Sequence, residues 1–218
     1  MDRDRKIDIW WKAFSDNAQK ISDRFSNRSN FDIPAFMQKN LQSIDRNLMW
    51  EFGPAINVKG HRLVITPEYR RDLRPLVNEI LKRAPSLNEW EFYPYRLPEN
   101  FESAQEAVES RTGAKLIDLY FTGKRNDFNL LDLFFITLSS RDNKEIDLAK
   151  HQAFVIVESI LGEEILDKWI GTIKISDHLP DDESPKSVDQ LASWVNKKIE
   201  EIKETLSDKP FLERTKGT

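Results

Sequence analysis

The order of apolar segments repeats along this chain, and the repetition constrains the fold more than any other feature of the sequence. In the first half, apolar-rich segments at 49–52 and 62–66 flank a loop, and a third segment follows at 87–95. Segments of this length bounded by turn residues are typical of strands. The order predicts a β-hairpin, a helix, a third strand and, after Leu97-Pro98, a second helix.

The helix between the hairpin and the third strand has start and stop signals. Thr66 can cap it with Pro67 at its first position, and an apolar stripe over 69–81 ends before Pro85. Threonine accepts backbone N–H groups at helix starts, proline suits the first turn, and the residue before a proline disfavours helix. We therefore expect this helix to begin at Pro67 and to end before Pro85.

The second half of the chain repeats this order. Its predicted segments are strands at 115–121 and 130–138, a helix at 146–161, a strand at 170–175 and a last helix at 188–206. Asp142 with Glu145 three residues later forms a capping box before the first of these helices.

Short sequence tags also correspond between the halves. The tags are Leu87-Asn88-Glu89-Trp90 with Leu166-Asp167-Lys168-Trp169, and Leu97-Pro98 with Leu179-Pro180. Both pairs flank the third strand of their half. We interpret the shared order and the tags as an internal duplication of one β-β-α-β-α unit.

Two amphipathic helices precede the repeated part. Apolar residues recur at alternating spacings of four and three over 7–25 and again over 37–48, and Asp32 before Pro34 marks the start of the second helix. The helices predict an αα-hairpin that packs on the body. As an alternative, a paired apolar stripe mediates self-association into a homodimer.

These segments predict an α+β fold in which helices cover a mostly antiparallel or mixed sheet. We assign residues 1–48 to the helical hairpin, 49–112 to the first β-β-α-β-α unit, 113–210 to the second and 211–218 to a tail.

Composition excludes several classes of protein. The chain has no cysteine, which removes disulfide scaffolds, thiolate metal sites and cysteine nucleophiles. A net charge of −4 does not favour nucleic acid as a partner, because binding there depends on basic residues that release counterions. No signal segment follows the charged N-terminus, and the apolar stretch 130–138 is interrupted by Asp132 and too short to span a bilayer. We expect a cytoplasmic protein without a membrane span.

A pair of carboxylates is the first candidate for chemistry. A second hairpin closed by a loop at 123–127 places Asp118 directly opposite Asp132 among apolar neighbours. Like charges so placed repel, so one carboxylate takes up a proton, binds a cation or meets a basic side chain. The alternatives are a register shifted by one or two residues, or a Lys or Arg from a helix. At the matching places of the first hairpin, Glu51 and Arg62 predict a cross-strand ion pair.

A second candidate is a basic patch formed by Arg70, Arg71 and Arg74. Arginine can bind phosphate or carboxylate in a bidentate manner. Glu68 and Asp72 are interspersed among the arginines, which favours the solvated face of an amphipathic helix over a binding site.

A third candidate is the aromatic segment 90–96. Alternation places Trp90 and Phe92 on one face of the third strand, and Pro94 predicts that this strand lies at a sheet edge or carries a bulge. The candidate interface consists of Tyr93, Tyr95 and Arg96, residue types that protein interfaces favour. The alternative is that these aromatic residues simply pack under a helix.

The remaining residue types give no motif for a metal or a cofactor. His61, His151 and His178 lie in separate segments without metal-ligand spacing, and the seven glycines form neither a phosphate loop nor a dinucleotide fingerprint. The sequence therefore predicts no metal site of known pattern and no cofactor.

Several stretches resemble bacterial proteins from families of unknown function, some of which have toxin-immunity or regulatory roles. The stretches are Glu51-Phe52-Gly53-Pro54, Ile65-Thr66-Pro67-Glu68, Ala84-Pro85-Ser86-Leu87-Asn88-Glu89-Trp90 and Ser159-Ile160-Leu161-Gly162-Glu163-Glu164. The resemblance implies a bacterial cytosolic accessory protein, and it assigns no functional residues.

The leading hypothesis is a non-enzymatic binding protein, of regulatory or immunity type, that covers the surface of a protein partner. The rival hypothesis is an enzyme that uses Asp118 and Asp132, with or without a divalent metal. A third is small-molecule sensing in a pocket between the two copies.

Overall fold

The computed structural model describes residues 2–68, 70–137, 143–175 and 184–207, and within them the chain has an α+β fold with two mixed sheets. Residues 1–96 and 97–218 form two compact units, called here the N-unit and the C-unit. Some predicted features lie outside the described residues. They are Tyr69, Leu138, the Asp142 cap, His178, Leu179-Pro180 and the 211–218 tail.

The N-unit begins with two helices, α1 (Arg3–Phe25) and α2 (Ile33–Asn40). The predicted cap of α2 is confirmed, because the Asp32 carboxylate accepts a hydrogen bond from the Ala35 N–H at 3.0 Å. The predicted extension of this helix to residue 48 is wrong, since it ends at Asn40 and turns follow. Leu41 and Leu48 are buried nevertheless, so their spacing reflects core packing and not a longer helix.

The sheet of the N-unit has the strand order β1-β2-β3, with β1 (Met49–Pro54) antiparallel to β2 (His61–Thr66) and β3 (Trp90–Tyr93) parallel to β2. The prediction that the aromatic strand lies at an edge is confirmed. The strand ends directly before Pro94, which has no N–H to donate to a ladder.

The helix α3 begins at Arg74 and ends at Lys82, so the predicted start at Pro67 is wrong. Thr66 is the last residue of β2, and its Oγ1 accepts the N–H of Glu68 in a local turn. Glu68 has a φ of 53°, in the left-handed region that a right-handed helix does not use. The cap-like pair Thr66-Pro67 therefore closes a turn and does not start a helix.

Aromatic residues of α1 and β3 form the centre of the N-unit core. Trp11 and Phe14 contact Phe92 edge-to-face, with ring centroids 4.8 Å and 5.5 Å apart, and Phe14 meets Trp90 at 4.9 Å. The Trp11 Nε1–H donates to the Ile80 carbonyl of α3 at 2.7 Å. These contacts confirm that Trp90 and Phe92 share one face of β3, where Trp90 is buried and Phe92 is partly buried.

The described residues of the C-unit form three α-helices and four strands. They are α4 (Phe101–Thr112), β4 (Leu119–Arg125), β5 (Leu131–Thr137), α5 (Asn143–Trp169), β6 (Ile170–Ile175), β7 (Lys186–Ser187) and α6 (Leu191–Ser207). The strand order is β6-β5-β4-β7, with β5 antiparallel to β4 and parallel to β6. Gly162, at φ 71° and ψ 162°, interrupts α5. The short strand β7 was not predicted from the sequence.

Both units contain a β-hairpin, a helix and a third strand parallel to the second, which is the order predicted from the sequence. When the two units are compared by their strand pairing, the Trp90 and Trp169 tags differ in position by one residue. Trp90 pairs with the first residue of β2, whereas Trp169 precedes Ile170, which pairs with the first residue of β5. The division after Arg96 falls inside the predicted 49–112 unit, because α4 packs on α5 of the C-unit.

Candidate interaction surface

The loop between β1 and β2, residues 55–60 and called here the tip loop, presents apolar side chains to solvent. Ile56 is 60% exposed and Val58 is 41% exposed. The Ala55 N–H donates to the Gly60 carbonyl at 3.0 Å and closes the loop. Two branched aliphatic side chains are thus held in water on a short, closed segment.

The Glu91 carboxylate of β3 binds the backbone of the tip loop. Its Oε2 accepts the N–H of Ile56 at 2.8 Å, and its Oε1 accepts the N–H groups of Asn57 and Val58 at 2.6 Å and 3.0 Å. The Tyr93 hydroxyl donates to Oε2 at 2.7 Å. Four donors on one carboxylate fix the path of the loop against the edge strand.

These hydrogen bonds favour the ionised form of Glu91 and so lower its pKa. The Ile56 N–H has the largest effect, with Tyr93, Asn57 and Val58 adding to it, and together they lower the pKa of Glu91 from 4.5 to about 2, although burial acts in the opposite direction. Burial, and then the hydrogen bond to Glu91, raise the pKa of Tyr93. At neutral pH the charged Glu91 carboxylate therefore holds the backbone of the tip loop against β3.

Tyr93 lies next to the tip loop, whereas Tyr95 and Arg96 follow β3 at the other end of the hairpin, and all three side chains are bonded within the protein. Tyr93 is held by Glu91, and the Tyr95 ring lies under the Arg74 guanidinium, 4.1 Å from its centroid. Arg96 bridges two carboxylates, Glu51 at 3.3 Å and Glu68 at 2.9 Å. These residues support the edge of the sheet.

The structure does not form the predicted basic patch. Arg74 is only 7% exposed, and it donates to the carbonyls of Pro94 at 2.9 Å and Glu68 at 3.2 Å. Arg70 makes a bidentate pair with Asp72 that lowers the pKa of that carboxyl. Arg71 lies in the short helical turn before α3. Arg74 therefore has a structural role, and the charge of Arg70 is compensated by Asp72.

The predicted opposition of Asp118 and Asp132 is wrong. The strand β4 continues through Gly123 to Arg125, so the register pairs Lys124 with Asp132, and Asp118 precedes the strand. The Asp132 Oδ1 accepts a hydrogen bond from the Asn126 side chain at 3.1 Å. The observed partner of Asp132 lies six residues beyond Asp118, so the register also differs from the alternative of a shift by one or two residues.

The predicted ion pair of the first hairpin is present with a different register. Val64, and not Arg62, is directly opposite Glu51. The Arg62 guanidinium still reaches the Glu51 carboxylate along the diagonal, at 3.5 Å.

The histidines do not form a site within the described part of the chain. His61 lies between Phe25 and Trp90 in tilted ring contacts, with centroids 5.0 Å and 5.3 Å away, and His151 is exposed on α5. Among the described residues, no three His, Asp or Glu side chains are grouped so that they could hold a metal ion.

The loop of the second hairpin resembles the tip loop, because a side-chain oxygen also binds its backbone N–H groups. Its Phe128 is 83% exposed, and the Asn126 side-chain oxygen accepts the N–H groups of Phe128 and Leu130 at 3.0 Å and 3.1 Å. In both units, a side-chain acceptor binds the loop backbone while an apolar side chain faces solvent.

Sequence reasoning missed Glu91 and the tip loop. An acidic residue on the face of β3 opposite Trp90 and Phe92 reads as an ordinary solvent-facing position, and its loop partners are more than thirty residues away. The one available signal was the pair Ile56 and Val58 in a hairpin loop, where polar residues are the rule.

Comparison of the chain with models of protein families, with curated proteins and with solved structures finds no match. Within the described residues, no helix is both long enough and apolar enough to cross a membrane.

Proposed function

We propose that this chain is a protein-binding protein of regulatory or immunity type, acting in a bacterial cytoplasm, and that the tip loop contacts its partner. The observation that carries the proposal is the exposure of Ile56 and Val58 on a backbone already fixed by Glu91. A preorganised loop loses little conformational entropy on binding, so its apolar side chains can act as anchors.

The chemistry of the tip loop defines the partner surface. Ile56 and Val58 require a shallow apolar recess, and fully burying one such side chain contributes about 1.5–3 kcal/mol. That amount corresponds to roughly a tenfold or larger change in affinity. The adjacent Tyr93 would then border the contact, as interface-type residues commonly do.

The rival enzyme hypothesis depended on opposed carboxylates. Because the register places Lys124 opposite Asp132 and leaves Asp118 outside the paired strand, that hypothesis has no geometric support. We therefore propose the binding function alone.

Differential capture tests the proposal. Wild-type protein and the variants Ile56→Ser and Ile9→Ser are used as baits in a lysate of the source organism, and a photo-cross-linking residue is placed at 56 or at 9. Ile9 lies on α1 and is 45% exposed, so it is a matched exposed isoleucine outside the tip loop.

We expect one protein to be captured in stoichiometric amount by the wild type and by Ile9→Ser. Ile56→Ser should lose about tenfold or more of this capture, and cross-linking should occur from position 56 alone. Recovery of no partner, or equal capture by both variants, contradicts the proposal.

A further inference from the structure

A cavity of about 320 Å³ lies in the C-unit between the end of β4 and α6. Residues 122–125 form its strand wall, and α6 contributes residues at helical spacing. These are Trp194, Lys198, Glu201, Ile202 and Thr205. The volume is at the lower end of the range of ligand pockets, roughly 300–1,000 Å³.

The floor of the cavity is aromatic and apolar. The Trp194 indole contacts Phe121 edge-to-face at 5.6 Å, and the cavity is further lined by Leu131 and Ile202, both buried. A Cβ atom on Gly123 would lie 2.3 Å from the Trp194 ring. Only glycine therefore lets the indole lie directly against the strand.

The mouth of the cavity contains an arginine without a carboxylate partner among the described residues. The Arg125 Nε donates to the Asn129 side-chain oxygen at 3.0 Å, and its Nη2 donates to the same atom. Asn129 has a φ of 63°, and its N–H donates to the Asn126 carbonyl at 3.0 Å. A neutral amide thus orients the guanidinium and leaves its charge uncompensated.

The remaining charges do not neutralise the mouth. Lys198 is 3.0 Å from the Glu201 carboxylate, and that carboxylate also has Lys197 at 4.0 Å. Arg125, Lys197 and Lys198 thus outnumber the single Glu201 carboxylate. Lys124 also lines the cavity, but its ammonium lies 5.5 Å from the Phe134 ring centroid, on the face of the sheet opposite Gly123. An anion at the mouth is therefore favoured electrostatically.

We propose that this cavity binds a small aromatic carboxylate, with its ring on the Trp194 indole and its carboxylate on the Arg125 guanidinium. A guanidinium binds a carboxylate through parallel hydrogen bonds, and an indole favours offset or edge contacts with a second ring. The site is separate from the tip loop, so it is a second function and does not depend on the protein partner proposed above.

The test uses 2-naphthoate, with the uncharged 2-naphthamide as a ligand of similar shape. Binding is followed through the indole N–H resonance of Trp194, assigned with Trp194→Phe, and by calorimetry. Arg125→Gln removes the charge at the mouth. Lys150→Gln is the matched control, because Lys150 is an exposed cation on α5 away from the cavity lining.

We expect 2-naphthoate to shift the Trp194 resonance with a Kd of about 1 mM or below. Binding should be about tenfold weaker for Arg125→Gln and for 2-naphthamide, and unchanged for Lys150→Gln. The proposal is overturned by a Trp194 resonance that does not move at roughly 10 mM ligand, or by equal affinities of wild type and Arg125→Gln. Lys198→Gln provides a second variant, with an expected weakening in the same direction.

Discussion

A Cβ atom on Gly60 would lie 2.1 Å from the carbonyl oxygen of Glu89. The tip loop and the segment before β3 meet at this point, and the His61 N–H donates to the same oxygen at 2.8 Å. The Glu91 carboxylate binds the loop at residues 56–58, so the loop is fixed at its middle and at its end. Glycine is required at position 60 because the two backbones approach so closely.

Replacing Gly60 should therefore loosen the tip loop. Gly60→Ala is expected to lower the free energy of unfolding by about 1–3 kcal/mol, because the methyl group overlaps a backbone that must shift. Amide exchange at Asn57 and Val58 should become faster. Gly113→Ala is the control, since a Cβ there meets no atom within 4 Å in the described part of the chain, and its left-handed φ of 73° affects only the end of α4. Accelerated exchange of the loop amides in the control would contradict this interpretation.

The Glu91 carboxylate should make the tip loop sensitive to acid. Its pKa in the folded protein, about 2, is depressed below the ordinary 4.5, so the stabilisation it gives is present above pH 4.5 and is lost as the pH falls towards 2. Amide exchange at Asn57 and Val58, corrected for intrinsic rates, should accelerate in that window.

The variant Glu91→Gln separates this effect from general acid unfolding. Its loop amides should exchange faster at neutral pH and show no step between pH 4.5 and 2. A step of the same size in the variant and the wild type would assign the acid sensitivity to other groups.

Two neighbouring tryptophans should differ in their response to the same substitution. Trp11 donates to the Ile80 carbonyl, whereas the buried Nε1 of Trp10 has no hydrogen-bond partner among the described residues. Both Trp→Phe changes remove similar apolar volume, so Trp11→Phe should cost about 1 kcal/mol more than Trp10→Phe. Chemical denaturation of the two variants measures the difference. A larger loss for Trp10→Phe would show that the indole hydrogen bond is not a net stabilising contact.

Arg74 should be required for stability. A lysine has a single nitrogen in place of the two that donate to the Pro94 and Glu68 carbonyls, and it has no planar group to place over Tyr95, so Arg74→Lys is expected to cost about 2 kcal/mol. Arg28→Lys is the control, because Arg28 is exposed in a surface pair with Asp23 and should change stability by less than about 0.5 kcal/mol. Thermal unfolding of both variants measures the effect, and equal losses would contradict a structural role.

Sequence periodicity predicted the elements in which apolar residues recur at a regular spacing. The strand at 170–175 agrees in full with β6. The predicted stripe of α1 is buried at Ile7, Trp11, Phe14 and Ile21, whereas Phe25 at its end is 42% exposed. Pro94 placed β3 at a sheet edge because its missing N–H is a property of the residue itself. The repeated order of strands and helices in the two units also follows from pattern alone.

The candidate sites depended on contacts that local patterns do not encode. The β4–β5 register was mispredicted because Gly123 suggested a turn, whereas its lack of a side chain serves to admit Trp194 from a helix seventy-one residues later. The hydrogen bonds from the tip loop to Glu91 likewise join distant segments.

The sequence by itself determined the α+β class, the order of the elements and the buried faces, because propensity and apolar spacing act over a few residues. Only the tertiary structure decided the register of the second hairpin, the lowered pKa of Glu91 and the burial of Arg74. Those features arise from hydrogen bonds, close backbone approach and desolvation between segments far apart in the chain, where one residue of register changes every neighbour.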